Sequence, residues 1–126
     1  MHLIKIKTKI KKFNKVLSID GDKSISIRWA LIASQSEFKS KSENLLLSED
    51  VINTLKCLKK LGVKIKISKN FCEINGVGLN GFKYKKNLTL NAGNSGTLGR
   101  LIMGLLTHTK LSIRLKGDKS LSKRDF

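Results

Sequence analysis

A chain of 126 residues with 40% hydrophobic content can fold and bury a core, but it has no room for a large two-domain enzyme. Net charge is +17, from 26 basic against 9 acidic residues. Nearly all of the excess is lysine spread over every segment, alongside abundant isoleucine, asparagine and serine. That pattern reads mainly as composition, with anion focusing and nucleic-acid binding as the functional alternatives. No apolar run approaches a membrane span, and the alternating Lys and Ile of the start lack the apolar body of a signal peptide. A membrane partner is therefore not expected, and the location read from this is cytoplasmic. Cys57 and Cys72 lack metal-ligand spacing and read as reduced, packed thiols, with no metal site.

In chain order, Ile4, Ile6, Thr8 and Ile10 alternate with Lys5, Lys7 and Lys9, which predicts a half-buried strand. A short second strand is predicted from Val16 to Ile19, ending at the turn dipeptide Asp20-Gly21. Asp22 or Ser24 then caps a helix over residues 25–34, with Ile25, Trp29 and Ile32 on one face and Trp29 in the core. Residues 39–46 read as a strand. Ser48 with Glu49 and Asp50 starts a second helix, a capping hydroxyl followed by acids facing the positive helix end. Val51, Leu55, Leu58 and Leu61 keep helical spacing, and Gly62 stops it. Val63, Ile65 and Ile67 alternate with polar residues, Lys69-Asn70 turns, and residues 71–75 return, giving a hairpin. Loops follow at Gly76–Gly81. Leu88 and Leu90 lie on a strand entering the turn Asn91–Thr97. Residues 96–107 form a helix apolar nearly all round, hence buried, with His108 as its end-cap. Residues 112–115 return as a strand.

Two stretches carry chemistry. Gly21-Asp22-Lys23-Ser24-Ile25-Ser26-Ile27-Arg28 recurs as Gly117-Asp118-Lys119-Ser120-Leu121-Ser122-Lys123-Arg124, six of eight residues shared at an offset of 96, which indicates an internal α/β repeat. A loop entering a helix leaves backbone amides pointing outward, and the helix dipole makes that end an anion site. Ser24 adds a hydroxyl, Lys23 a point charge, and Arg28, one turn beyond Ser24, a planar fork on the same side. Asp22 and Asp118 read as turn or capping residues. The turn Asn91-Ala92-Gly93-Asn94-Ser95-Gly96-Thr97 has glycines that permit close ligand approach. Arg100 follows it inside the helix, either contacting a ligand or bracing the turn through a carboxylate or backbone carbonyls. The spacing fits neither the nucleotide phosphate loop nor the dinucleotide fingerprint. No carboxylate pair suggests an acid/base couple. The visible chemistry is binding.

Residues 21–28, 90–101 and 117–124, with the helix 48–62 between them, resemble the EPSP synthase family in order and spacing from about residue 18 to 124. The resemblance implies an α/β (α+β) fold of repeated βαβαββ units, incomplete here. Residues 1–19 would be an opening strand segment that belongs with the other domain, and residues 20–126 a partial substrate-binding domain. It also implies transfer of the enolpyruvyl group of phosphoenolpyruvate to the 5-hydroxyl of shikimate 3-phosphate, by addition and elimination, without metal or organic cofactor. By position, Lys23 resembles the lysine reaching both substrates, and Ser24 and Arg28 the shikimate 3-phosphate ligands. Gly96 resembles the glycine whose amide faces phosphoenolpyruvate, and Arg124 an arginine gripping it. Asn94, Thr97 and Arg100 resemble supporting residues of the turn. The acid/base residues are expected beyond Phe126, in the missing C-terminal part of a monomeric enzyme, so the chain alone is expected to be inactive or nearly so. Two positions depart from the family pattern. Ile27 stands where a polar residue is usual, which is expected to loosen contacts at the cleft edge. Asp125-Phe126 replaces a Pro-Met-like continuation.

Two other readings compete. UDP-N-acetylglucosamine enolpyruvyl transferase shares the fold, but the repeated Gly-Asp-Lys-Ser argues against it. A basic RNA-binding module would suit the charge. An aromatic content of 6% with no stacking stripe disfavours it, so no nucleic-acid partner is expected.

Overall fold

The computed structural model describes Lys12, Asn14, Val16 and residues 19–69 and 71–125. The predicted strand over residues 3–10 lies outside the described residues, as do Leu17 and Ser18. Val16 and Ile19 are exposed and belong to no strand, so the predicted second strand is not formed at its two ends.

The elements run α1 (Lys23–Ser34), β1 (Lys39–Glu43), α2 (Glu49–Lys60), β2 (Lys64–Ile67), β3 (Phe71–Asn75), β4 (Leu88–Asn91), α3 (Gly96–Leu105), β5 (Ile113–Lys116) and a short 3-10 turn, Leu121–Lys123. After its first strand, the order of a βαβαββ unit is thus present from α1 to β3, and β4–α3–β5 follows. β3 is the centre of a three-stranded antiparallel sheet in the order β1-β3-β2, and β4 pairs with β5 in parallel. The hairpin forms because Ile65 and Ile67 alternate with lysines and their partners Ile74 and Cys72 point inward. On the outer face Glu73 lies between Lys41 and Lys66 in the register.

One core joins the layers. Ile27, Ala30 and Leu31 of α1 meet Val51, Leu55 and Leu58 of α2, with Ile74, Leu90, Leu98 and Ile102 around them. Each large aliphatic so buried contributes roughly 1.5–3 kcal/mol. α2 closes at Gly62, whose φ of +89° suits glycine, and the Val63 amide donates to the Leu58 carbonyl at 3.1 Å.

Several expectations change here. The buried face of α1 carries Ile27, Ala30, Leu31 and Ser34, not Ile25 and Ile32, which are 68% and 72% exposed. The helix is apolar on two sides, and packing against α2 selects one. Trp29 is half-buried against the core. Ile27 therefore sits in the core and not at a cleft edge. α3 is not buried all round: Leu98, Gly99 and Ile102 are buried, while Leu101 and Met103 are exposed. Ser48 is the N-cap of α2 by backbone, yet its hydroxyl makes no cap bond, and its oxygen is buried without a partner among the described residues. His108 is exposed, and hydroxyls of Thr107 and Thr109 donate to the last carbonyls of the α3 end instead.

No helix among the described residues is long and apolar enough to cross a membrane.

Candidate anion site

Both copies of the repeated motif open on the same aspartate cap, the first leading into α1 and the second into the 3-10 turn. Asp22 Oδ1 accepts from the Ile25 amide at 2.7 Å, and Asp118 Oδ1 accepts from the Leu121 amide at 2.7 Å. The Ser26 amide donates to the Asp22 carbonyl at 2.9 Å, and the Ser122 amide to the Asp118 carbonyl at 3.0 Å. Of the two caps read from the sequence, Asp22 is the one used. Glycine is required at Gly21, where a Cβ would run into the Asn44 carbonyl and come 2.9 Å from the Leu46 amide nitrogen. That same loop is tied to α1 by the Leu46 amide, which donates to Ser26 Oγ at 3.2 Å.

The turn before α3 is built from its own side chains. Asn91 Oδ1 accepts from the Gly93 amide at 3.0 Å, and Gly93 has a φ of +58°. Buried Ser95 caps α3, accepting from the Leu98 amide at 3.2 Å. The second motif copy is strapped to this turn. The Ala92 amide donates to the Lys116 carbonyl at 2.8 Å and the Asp118 amide to the Gly93 carbonyl at 2.9 Å. The strap brings Arg124 to the start of α3. Its Nη2 donates to Asn94 Oδ1 at 2.9 Å, and its Nη1 lies 3.3 Å from where a Cβ on Gly96 would be.

α1 packs beside α3 and adds Arg28. The result is an open hollow of about 340 Å³ lined by Arg28, Gly96, Thr97, Arg100, Leu101 and Arg124. Among the described residues, three arginines and no acidic side chain line it. Gly96 and Thr97 are the first two residues of α3, where amides have no intrahelical acceptor. Such a lining offers planar, bidentate recognition of carboxylate or phosphate.

Of the eight residues singled out from sequence, Arg28, Gly96, Thr97, Arg100 and Arg124 line this hollow. Asn94 stands behind it, holding Arg124. Arg100 also donates from Nη2 to the Asp125 carbonyl at 2.9 Å, so it both braces the chain and faces the hollow. Lys23 and half-buried Ser24, at the first turn of α1, are not among the lining residues. Lys23 Nζ instead pairs with Asp50 Oδ2 at 3.0 Å. The second motif copy opens only the three-residue turn Leu121–Lys123, too short to act as a helix end. Its role is to carry Arg124. Asp50 was read from sequence only as a helix-start acid. The acid pair after Ser48 was its one signal, and the partner on α1 left none.

A profile of the EPSP synthase (3-phosphoshikimate 1-carboxyvinyltransferase) family matches residues 7–125. Among curated proteins, a 3-phosphoshikimate 1-carboxyvinyltransferase of Thermoanaerobacter pseudethanolicus is 43% identical over 120 residues, 94% of this chain and 28% of its own length. One of Bacillus cytotoxicus is 42% identical over 114 residues, 90% of this chain and 27% of its own length. Among solved structures, an EPSP synthase from Acinetobacter baumannii superposes with a TM-score of 0.79 at 37% identity, over 86% of this chain and 24% of that one. The chain thus spans little more than a quarter of the length of the curated relatives it matches.

Proposed function

The chain belongs to the EPSP synthase family, and from that premise we propose that it supplies part of the substrate site for enolpyruvyl transfer. The reaction joins the 5-hydroxyl of shikimate 3-phosphate to C2 of phosphoenolpyruvate while a proton adds to its methylene carbon. Loss of phosphate and of a methyl proton from the tetrahedral intermediate restores the double bond. Both substrates carry phosphate and carboxylate groups, and such groups need fixed cations and amides around them.

The observation that carries this reading is the hollow where Arg28, Arg100 and Arg124 meet the start of α3. Arg124 and the Gly96 amide hold phosphoenolpyruvate; Arg28, with Ser24, holds shikimate 3-phosphate. Lys23, at the first turn of α1, reaches both. Asn94, Thr97 and Arg100 support the turn. Residues 20–126 form a partial substrate-binding domain, with residues 1–19 belonging to the other. The proton-transfer groups belong to the remainder of the enzyme, a cytoplasmic monomer, so the 126-residue chain alone binds without turning over.

The experiment is a titration of the ¹⁵N-labelled chain with phosphoenolpyruvate and with shikimate 3-phosphate. Shifts centred on Gly96, Thr97 and the Arg28 and Arg124 side chains are expected. Shifts confined to the lysines of β1 and β2, with none at Gly96 or Thr97, would overturn the assignment.

A further inference from the structure

We propose that Asp50 is a positioning residue: it fixes the Lys23 ammonium where the first turns of α1 and α2 meet, so that the lysine meets an incoming anion already oriented. This rests on the proposed substrate site. Lys23 is the first residue of α1 and Asp50 the second of α2, and the packing of the two helices brings their first turns together. The Asp50 side chain is 17% exposed and that of Lys23 51%, with Oδ2 and Nζ 3.0 Å apart.

The asymmetry decides which group positions which. The carboxylate is mostly enclosed, on a short stem, and sits where the helix dipole favours its charge. Its own turn is tied down, since Thr54 Oγ1 donates to the Asp50 carbonyl at 2.9 Å. The ammonium rides on a flexible four-carbon stem and keeps half its surface in water. One of its three N–H donors goes to Asp50, which leaves two for a ligand. Arg28 stands five residues further along the same helix, about 7 Å along its axis, and Lys23 itself lies outside the lining of the hollow.

The test turns on a sign. Deleting a negative charge beside an anion site strengthens anion binding if charge alone matters. If Asp50 positions Lys23, its loss weakens binding, because the ligand must then order the lysine itself. Phosphoenolpyruvate affinity is measured for the parent chain, Asp50→Asn, Lys23→Ala and the double variant, with Arg124→Ala as the control for the site. Asp50→Asn is expected to weaken binding about three- to tenfold, the cost of ordering one long side chain, and to have no effect in the Lys23→Ala background. Equal or tighter binding by Asp50→Asn, or the same loss with Lys23 absent, would overturn the proposal. Unchanged binding by Arg124→Ala would instead remove the substrate site itself. Should Asp50→Asn fail to fold, the Lys23 ammonium resonance of the parent chain decides. Proton exchange slower than at the other lysines supports the clamp, and exchange as fast as theirs overturns it.

Discussion

Arg124→Ala should weaken anion binding strongly and leave the fold almost untouched. The guanidinium is exposed and makes two side-chain bonds, to Asn94 Oδ1 at 2.9 Å and to Ser120 Oγ at 3.5 Å. Both partners become free to bond water when it is removed, so the lost bonding costs about 0.5–1.5 kcal/mol. Against that stands relief of repulsion. The hollow of about 340 Å³ is roughly 9 Å across, and two unit charges at that distance in water-like surroundings repel by about 0.5 kcal/mol. Relief from Arg28 is then about 0.5 kcal/mol, and the change in stability stays within about 1 kcal/mol of zero. Binding has no such compensation. A charge-assisted hydrogen bond contributes roughly 1.5–3 kcal/mol, so affinity for phosphoenolpyruvate should fall roughly 10- to 150-fold. Arg124→Lys keeps the charge but not the fork and should fall in between. The assay pairs an amide titration at Gly96 and Thr97 with urea unfolding of the same samples. Unchanged affinity, or a loss of affinity matched by more than about 2 kcal/mol of lost stability, would refute the reasoning.

Two glycine substitutions should part in sign. Gly21→Ala forces a Cβ into the Asn44 carbonyl and should lower unfolding free energy by at least about 2 kcal/mol. Gly104→Ala, in α3 with nothing within 4 Å of the added carbon, should raise it by about 0.5–1 kcal/mol. Chemical denaturation measures both. Burial pushes the Cys57 and Cys72 thiols above the ordinary thiol range, outweighing the charges of Lys60 at Cys57 and Lys59 at Cys72. Both states keep neutral thiols below that range. Above it the unfolded chain ionises first, so stability is lost as pH rises, by up to about 1.4 kcal/mol per pH unit per thiol. The alkaline slope of stability should therefore be smaller in Cys57→Ala than in the parent, and equal slopes would contradict this.

What the sequence made legible was local. Asp22 and Asp118 cap the turns they open, Gly62 ends α2, and the β2–β3 hairpin follows its alternation, because each signal lies within a few residues of its effect. What it hid was decided between elements. Ile25, Ile27, Leu31 and Ile32 give α1 two apolar sides, and only α2 chooses between them. α3 carries apolar residues on every side, and nothing local told Leu98 and Ile102 from Leu101 and Met103. Arg28, Arg100 and Arg124 were each readable from their motifs, but their meeting depends on the strap from Gly93 to Asp118. The Lys23–Asp50 pair crosses between two helix starts, each of which already had a sufficient local explanation.

A structure of the chain with phosphoenolpyruvate bound tests the central claim most directly. The anion should lie between Arg28 and Arg124, with an oxygen on the Gly96 amide. A ligand bound among Lys39, Lys41, Lys64 and Lys66 of the sheet face, with the hollow holding only water, would contradict it.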